Sequence, residues 1–149
     1  MNNDEGIKRI NLMKMREQPM SIALGNFSII KNHIIANENV MLKIEEILKD
    51  GSTCIAPYHP GSLNDKIAKD GKIGFRIPIH DYLKAMLNEY QAPITTTSIN
   101  KTGSEPLYNP DDIEEQFGDK IDLLIDDGEI KNSPSKIFVL EKNEIKRIR

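Results

Sequence analysis

A twisted open mixed β-sheet with flanking helices, an α/β architecture, is the fold class this sequence predicts, and three observations predict it. Short apolar runs of strand length alternate with segments of helical periodicity along a 149-residue chain. Helix caps and turn residues, rather than linkers or repeats, separate those runs. The last two strands, "SKIFVLE" and "EIKRIR", meet around Lys142-Asn143 in a connection short enough for a hairpin, which makes the sheet mixed rather than purely parallel. The length is that of one domain, residues 1–149, large enough to bury a core without disulfides or a metal.

Each element has a local reason. Ile7 and Ile10 recur at helical spacing, and Pro19 pushes Gln18 out of helical geometry, so a first helix ends near Lys14. "MSIAL" (20–24) is a short strand. From about residue 27 to 49 a helical pattern runs through Val40, Met41, Ile44, Ile47 and Leu48, and Asp50-Gly51 stops it. "STCIAP" and "KIGFRIP" read as strands. "HDYLKAMLNEY" is an amphipathic helix with Leu83, Met86, Leu87 and Tyr90 on one side. "NPDDIEEQFG" has an Asn cap, a proline in the first turn, acids where the helix dipole favours them, and a glycine stop. "IDLLID" (121–126) reads as one more strand before the closing hairpin.

Composition excludes several classes of function. Twenty basic and 23 acidic side chains leave a net charge of −3, so nothing in the overall charge calls for nucleic acid or an anionic membrane. One cysteine, Cys54, rules out a disulfide framework, and its apolar setting reads as a buried structural thiol. No apolar stretch approaches a membrane span, and the first residues lack the apolar core of a secretory signal, so the expected location is cytoplasmic. The histidines, His33, His59 and His80, are scattered without metal-ligand spacing, and no dedicated metal site is expected. Phosphate-binding glycine loops and nucleophile elbows are absent.

What remains is a set of cations and hydroxyls. Lys14 and Arg16 form a Lys-x-Arg at a helix exit, where extended backbone would aim both at one ligand. Arg76 lies on the face of its strand opposite Ile73, Phe75 and Ile77, between Gly74 and Pro78, a setting that suits close approach by an anion. Ser135 is a strand-entry hydroxyl. The stretch "PITTTSINKTGSEP" (93–106) has two readings: an edge strand closing into a turn, or a ligand shelf on which Ser98 and Asn100 point the same way. A group of cations and hydroxyls without an evident nucleophile or general base suits the binding and alignment of a nucleotide.

Taken in order, these pieces resemble the YrdC-like family of threonylcarbamoyl-AMP synthases. Lys14-Met15-Arg16 resembles the family's Lys-x-Arg, and Gly74-Phe75-Arg76-Ile77-Pro78 its Gly-x-Arg-x-Pro strand. Pro93, Thr97, Ser98, Asn100 and Gly103 agree with its Pro-x-x-x-Thr-Ser-Ala-Asn-x-Ser-Gly signature, with Ile99 and Thr102 departing from it. Thr53 falls on the threonine of a Pro-Gly-Pro-x-Thr strand whose prolines are missing. Pro134-Ser135 matches part of a Pro-Ser-Thr, and Ile148-Arg149 part of a final Leu-Arg-x-Gly. Nothing before Lys14 resembles the family's opening Pro-Thr-Asp-Thr-x-Tyr-Gly strand, so the fold is expected to be N-terminally short, with recognition of the amino acid impaired.

The resemblance implies a nucleotidyltransferase that joins L-threonine and bicarbonate to ATP, giving threonylcarbamoyl-AMP and pyrophosphate for tRNA modification, with Mg2+ accompanying the triphosphate. It tips the 93–106 stretch toward the shelf. Lys14, Arg16 and Arg76 would then act on phosphate or carboxylate charge, and Thr53, Ser98, Asn100, Ser135 and Arg149 would contact the nucleotide. Two other functions compete: a nucleotide- or double-stranded-RNA-binding module of the same fold, weakened by the net negative charge, and a carbamoyl-adenylate domain of hydrogenase maturation, weakened by the short chain. Arg16→Ala and Asn100→Ala are both expected to weaken nucleotide binding and leave the fold alone, unless the Asn100 amide holds the turn before Gly103.

Overall fold

The computed structural model describes residues 3–17 and 19–149, so the expected departure of Gln18 from helical geometry lies outside the described residues. The first helix, α1 (Asp4–Lys14), is capped by Asn3, whose side chain accepts from the Gly6 amide, and it ends at Met15 in the left-handed region, φ 53°. The strands are β1 (Ser21–Ala23), β2 (Thr53–Pro57), β3 (Lys72–Arg76), β4 (Ile94–Thr96), β5 (Ile137–Glu141) and β6 (Glu144–Arg147). They form one sheet in the order β4-β1-β3-β2-β5-β6. β1 runs parallel to β3 and β2 parallel to β5, and the other pairs are antiparallel, so the sheet is mixed as expected. Lys142 and Asn143, at φ 49° and 66°, supply the two left-handed residues that a tight β5–β6 hairpin requires.

The sheet buries one face. Ile22, Leu24, Cys54, Ala56, Ile73, Phe75 and Leu140 pack in a single cluster with Ile7 of α1 and with two further helices, α2 (Phe27–Ile30) and α3 (Glu38–Lys49). Val40, Ile44 and Leu48, at i, i+4 and i+8, form the buried stripe of α3. Each fully buried aliphatic side chain of this kind contributes about 1.5–3 kcal/mol, which is why α3 forms at all.

Three expectations change. The helical pattern from 27 to 49 is two helices, because Asn26 caps α2 and Asn37 caps α3. Between them the chain turns at residues 31–33 and then runs out of the helix, with Ile34 bridged to Tyr58 and the Ile35 amide donating to the Pro57 carbonyl. The helix α4 (Asp81–Tyr90) forms, but of its expected apolar side only Leu87 is buried, while Leu83 and Tyr90 are exposed. Neither α4 nor α5 (Pro110–Phe117) contributes to the central cluster, and Met86 of the α4 stripe is only half-buried. "IDLLID" is not a strand. Residues 121–134 make no main-chain to main-chain hydrogen bonds among the described residues, and Leu123 and Ile125 are exposed. Strand propensity without a neighbouring backbone yields no strand.

Candidate functional site

The second face of the sheet carries the predicted residues. Register places Thr96, Ser21, Gly74, Ile55 and Val139 in one row across five strands, and Ile94, Ala23, Arg76, Thr53 and Ile137 in the next. Ser21, Gly74, Ile55 and Val139 are half-buried, against the fully buried Ile22, Phe75 and Cys54 of the core face. Gly74 lies in the middle of this floor for a steric reason: a Cβ there would come within 3.1 Å of the Ser21 Cβ and 3.2 Å of the Thr53 Cγ2.

At one end of the floor, beyond Thr96, the 97–104 loop meets the end of α1. The Lys14 ammonium donates to the Ser98 carbonyl at 2.6 Å, to the Asn100 Oδ1 at 2.5 Å and to the Ser98 hydroxyl at 3.3 Å. Ser98 Oγ donates to the same Asn100 Oδ1, and Asn100 Nδ2 donates to the Ser104 carbonyl, both at 2.6 Å. Arg16 reaches Thr97 Oγ1 through Nη2 at 3.2 Å, while its Nε is buried without a partner. Lys14 is buried, and that burial, followed by the nearby Arg16, depresses the ammonium pKa below the usual lysine range. Its three protons already face three neutral acceptors. Lys14 therefore fastens the loop, and Arg16 is the cation of this group with donors to spare.

At the other end lie Arg76, Thr53, Ser135 and Arg149. Thr53 is the register partner of Arg76, and its hydroxyl lies 3.4 Å from that of Ser135. Arg149 donates to the Ser135 carbonyl from Nε at 3.2 Å and Nη2 at 3.0 Å. Burial pushes the Arg76 guanidinium pKa down and the charge of Arg149 adds to the effect, while Arg76 Nε is buried with no partner. Among the described residues no carboxylate forms an ion pair with Lys14, Arg16, Arg76 or Arg149. Two guanidinium groups held near each other without a counter-charge leave room for an anion.

The structure thus gathers the eight predicted residues into two groups rather than one. Lys14, Arg16, Ser98 and Asn100 stand at the Ser21 end of β1, and Arg76, Thr53, Ser135 and Arg149 at the Ala23 end. The four steps from Lys72 to Arg76 span about 13 Å at strand rise, which sets the scale of the separation. Sequence reasoning missed the floor between them, above all Ser21, whose hydroxyl lies 2.8 Å from that of Thr96. A lone serine in "MSIAL" gives no signal of its own; only the pairing of β1 with β3 and β4 puts it there. Two surface grooves, one of about 380 Å³ between α1 and residues 120–123 and one of about 480 Å³ beside α5, contain none of the eight. No group of three or more metal-capable His, Cys, Asp or Glu side chains occurs among the described residues.

A mixed six-stranded sheet with one packed face and flanking helices defines an α/β domain, and comparison with known proteins identifies which. The Sua5/YciO/YrdC family, described as "Telomere recombination", matches residues 1–149, and the chain belongs to it. A Methanocaldococcus jannaschii protein, provisionally named a threonylcarbamoyl-AMP synthase, is 32% identical over 99% of this chain and 70% of its own length. The threonylcarbamoyl-AMP synthase of Vibrio campbellii is 25% identical over 97% of this chain and 82% of its own. The fold matches that of P. abyssi Sua5, solved as a complex with L-threonine, at a TM-score of 0.83 and 21% identity. The match covers 99% of this chain but 44% of the P. abyssi chain.

Proposed function

We propose that the open face binds ATP between its two cationic ends and that the chain acts as a threonylcarbamoyl-AMP synthase, forming threonylcarbamoyl-AMP and pyrophosphate from L-threonine, bicarbonate and ATP. The single observation that carries this reading is Arg76: half-buried, its Nε without a partner, beside Arg149 and, among the described residues, with no carboxylate paired to either. An unpaired, desolvated guanidinium is costly unless an anion completes it, and phosphate oxygens do so with charge-assisted bonds. Arg16, with its own unpartnered Nε, supplies the second anchor at the far end of the floor. The names of the relatives supply the reaction, and the threonine held by P. abyssi Sua5 supports threonine as the amino acid.

In this reading the cations hold and neutralise the triphosphate, and the hydroxyls of Thr53, Ser135 and Ser21 orient what lies on the floor. That is catalysis by alignment and charge stabilisation. Magnesium would be held by the triphosphate oxygens, since no group of three or more His, Cys, Asp or Glu side chains that could hold it occurs among the described residues. The product would pass to enzymes of tRNA modification. The test is calorimetric titration with magnesium and a nonhydrolysable ATP analogue, together with threonine-dependent release of pyrophosphate. Binding that Arg76→Ala weakens about tenfold or more is the expected result. A folded protein with no affinity up to millimolar nucleotide would overturn the reading.

A further inference from the structure

We propose that Thr102 is a positioning residue that fixes the Arg16 end of the site by suspending the 97–104 loop from the end of α1; this rests on the triphosphate reading of the open face. Carbonyls in the last turn of a helix have no intrahelical partner. That of Lys14 instead accepts two hydrogen bonds from one distant residue, from the Thr102 amide at 3.1 Å and the Thr102 hydroxyl at 2.8 Å. On its other side the same lysine grips the loop through its ammonium, at Ser98 and Asn100. The loop is therefore pinned to one residue of α1 at two points, one main-chain and one side-chain.

The geometry gives the hydroxyl a specific task. The ammonium bonds are local to Ser98 and Asn100, and by themselves they let the loop pivot about the Lys14 side chain. The second attachment, at the Lys14 carbonyl, removes that freedom. It also sets the distance between the loop and the next turn of chain, where Met15 at φ 53° redirects the backbone and Arg16 comes up beside Thr97. Thr102 itself is exposed and buries little apolar surface, so its contribution is to orientation rather than to the core. Without the hydroxyl that attachment rests on the Thr102 amide alone, and the Arg16–Thr97 contact is held less firmly in register with the floor.

Thr102→Val keeps size and branching and removes only the hydroxyl; Thr102→Ser keeps the hydroxyl. Inorganic tripolyphosphate and magnesium-ATP are titrated calorimetrically into wild type and both variants, and amide hydrogen exchange is followed across residues 97–104. Thr102→Val is expected to bind both probes about tenfold more weakly and to exchange faster at Thr102 and Ser104, with a melting temperature lowered by only about 2–4 °C, as loss of one neutral hydrogen bond implies. Thr102→Ser is expected to restore wild-type values of each. Should Thr102→Val fail to fold, Thr102→Ala carries the same expectation. Equal binding and equal exchange in Thr102→Val and wild type would overturn this proposal alone. Wild-type protein that binds neither probe would overturn the triphosphate reading and this proposal with it.

Discussion

Asn100→Ala separates a residue that holds the site together from one that only faces a ligand. Three hydrogen bonds go with the amide: one accepted from the Lys14 ammonium, one accepted from Ser98 Oγ and one donated to the Ser104 carbonyl. A bond to a charged group is worth about 1.5–3 kcal/mol and a neutral turn bond about 0.5–1.5 kcal/mol. Lys14 keeps the Ser98 carbonyl and hydroxyl, and water reaches the exposed Ser98, so the lower part of that range applies. The expected loss of apo stability is about 2 kcal/mol, or about 4–8 °C in melting temperature for a domain of this size. Arg16→Ala, which removes one exposed contact to Thr97, should cost less than about 1 kcal/mol. Differential scanning calorimetry on the two variants without ligand makes the comparison. The sequence alone suggested that neither change would touch the fold unless the Asn100 amide holds the turn before Gly103; the Lys14 and Ser104 bonds divide the two. An Asn100→Ala protein melting within about 1 °C of wild type would refute this account of the loop.

Gly74→Ala should destabilise the protein by about 1–3 kcal/mol in urea titration, because the new methyl comes within 3.1 Å of Ser21 and 3.2 Å of Thr53, tighter than ordinary contact, and those neighbours must shift to admit it. Cys54, fully buried with its thiol pushed up to about 12 by burial, should resist a thiol reagent at mildly alkaline pH in the native state and react fully in denaturant. Tyr58 donates its hydroxyl to Asp65, and that bond, followed by burial, raises its pKa from 10.0 to about 12. A folded pKa above the unfolded value means that this contribution is complete below pH 10 and is lost as the pH rises through about 12. Tyr58→Phe should therefore remove one late phenolate transition from an alkaline absorbance titration and flatten the loss of stability over the same range.

The chain's own letters were enough for the elements that local chemistry dictates. Asn109-Pro110 with Gly118 bounded α5, Lys142-Asn143 made the hairpin, and the run of Val40, Ile44 and Leu48 built α3. The same holds for the types of residue at the site, since a charge on an apolar strand, as at Arg76, is visible without coordinates. What sequence could not contain was which backbones become neighbours. "IDLLID" has strand chemistry and no strand, because a strand's hydrogen bonds belong to its partner. Leu83 and Tyr90 stay exposed although Leu87, on the same apolar helix side, is buried. Ser21, an unremarked serine, becomes part of the floor only because β1 lies between β3 and β4. The eight predicted residues divide into two ends of one face, since register along β1 and β3, and not spacing in the chain, sets the distance between them. Helix caps and hydrophobic periods act over a few residues and can be read from them; sheet pairing joins residues up to 84 positions apart, as Thr53 and Ile137 are, and is decided only when the whole chain has packed.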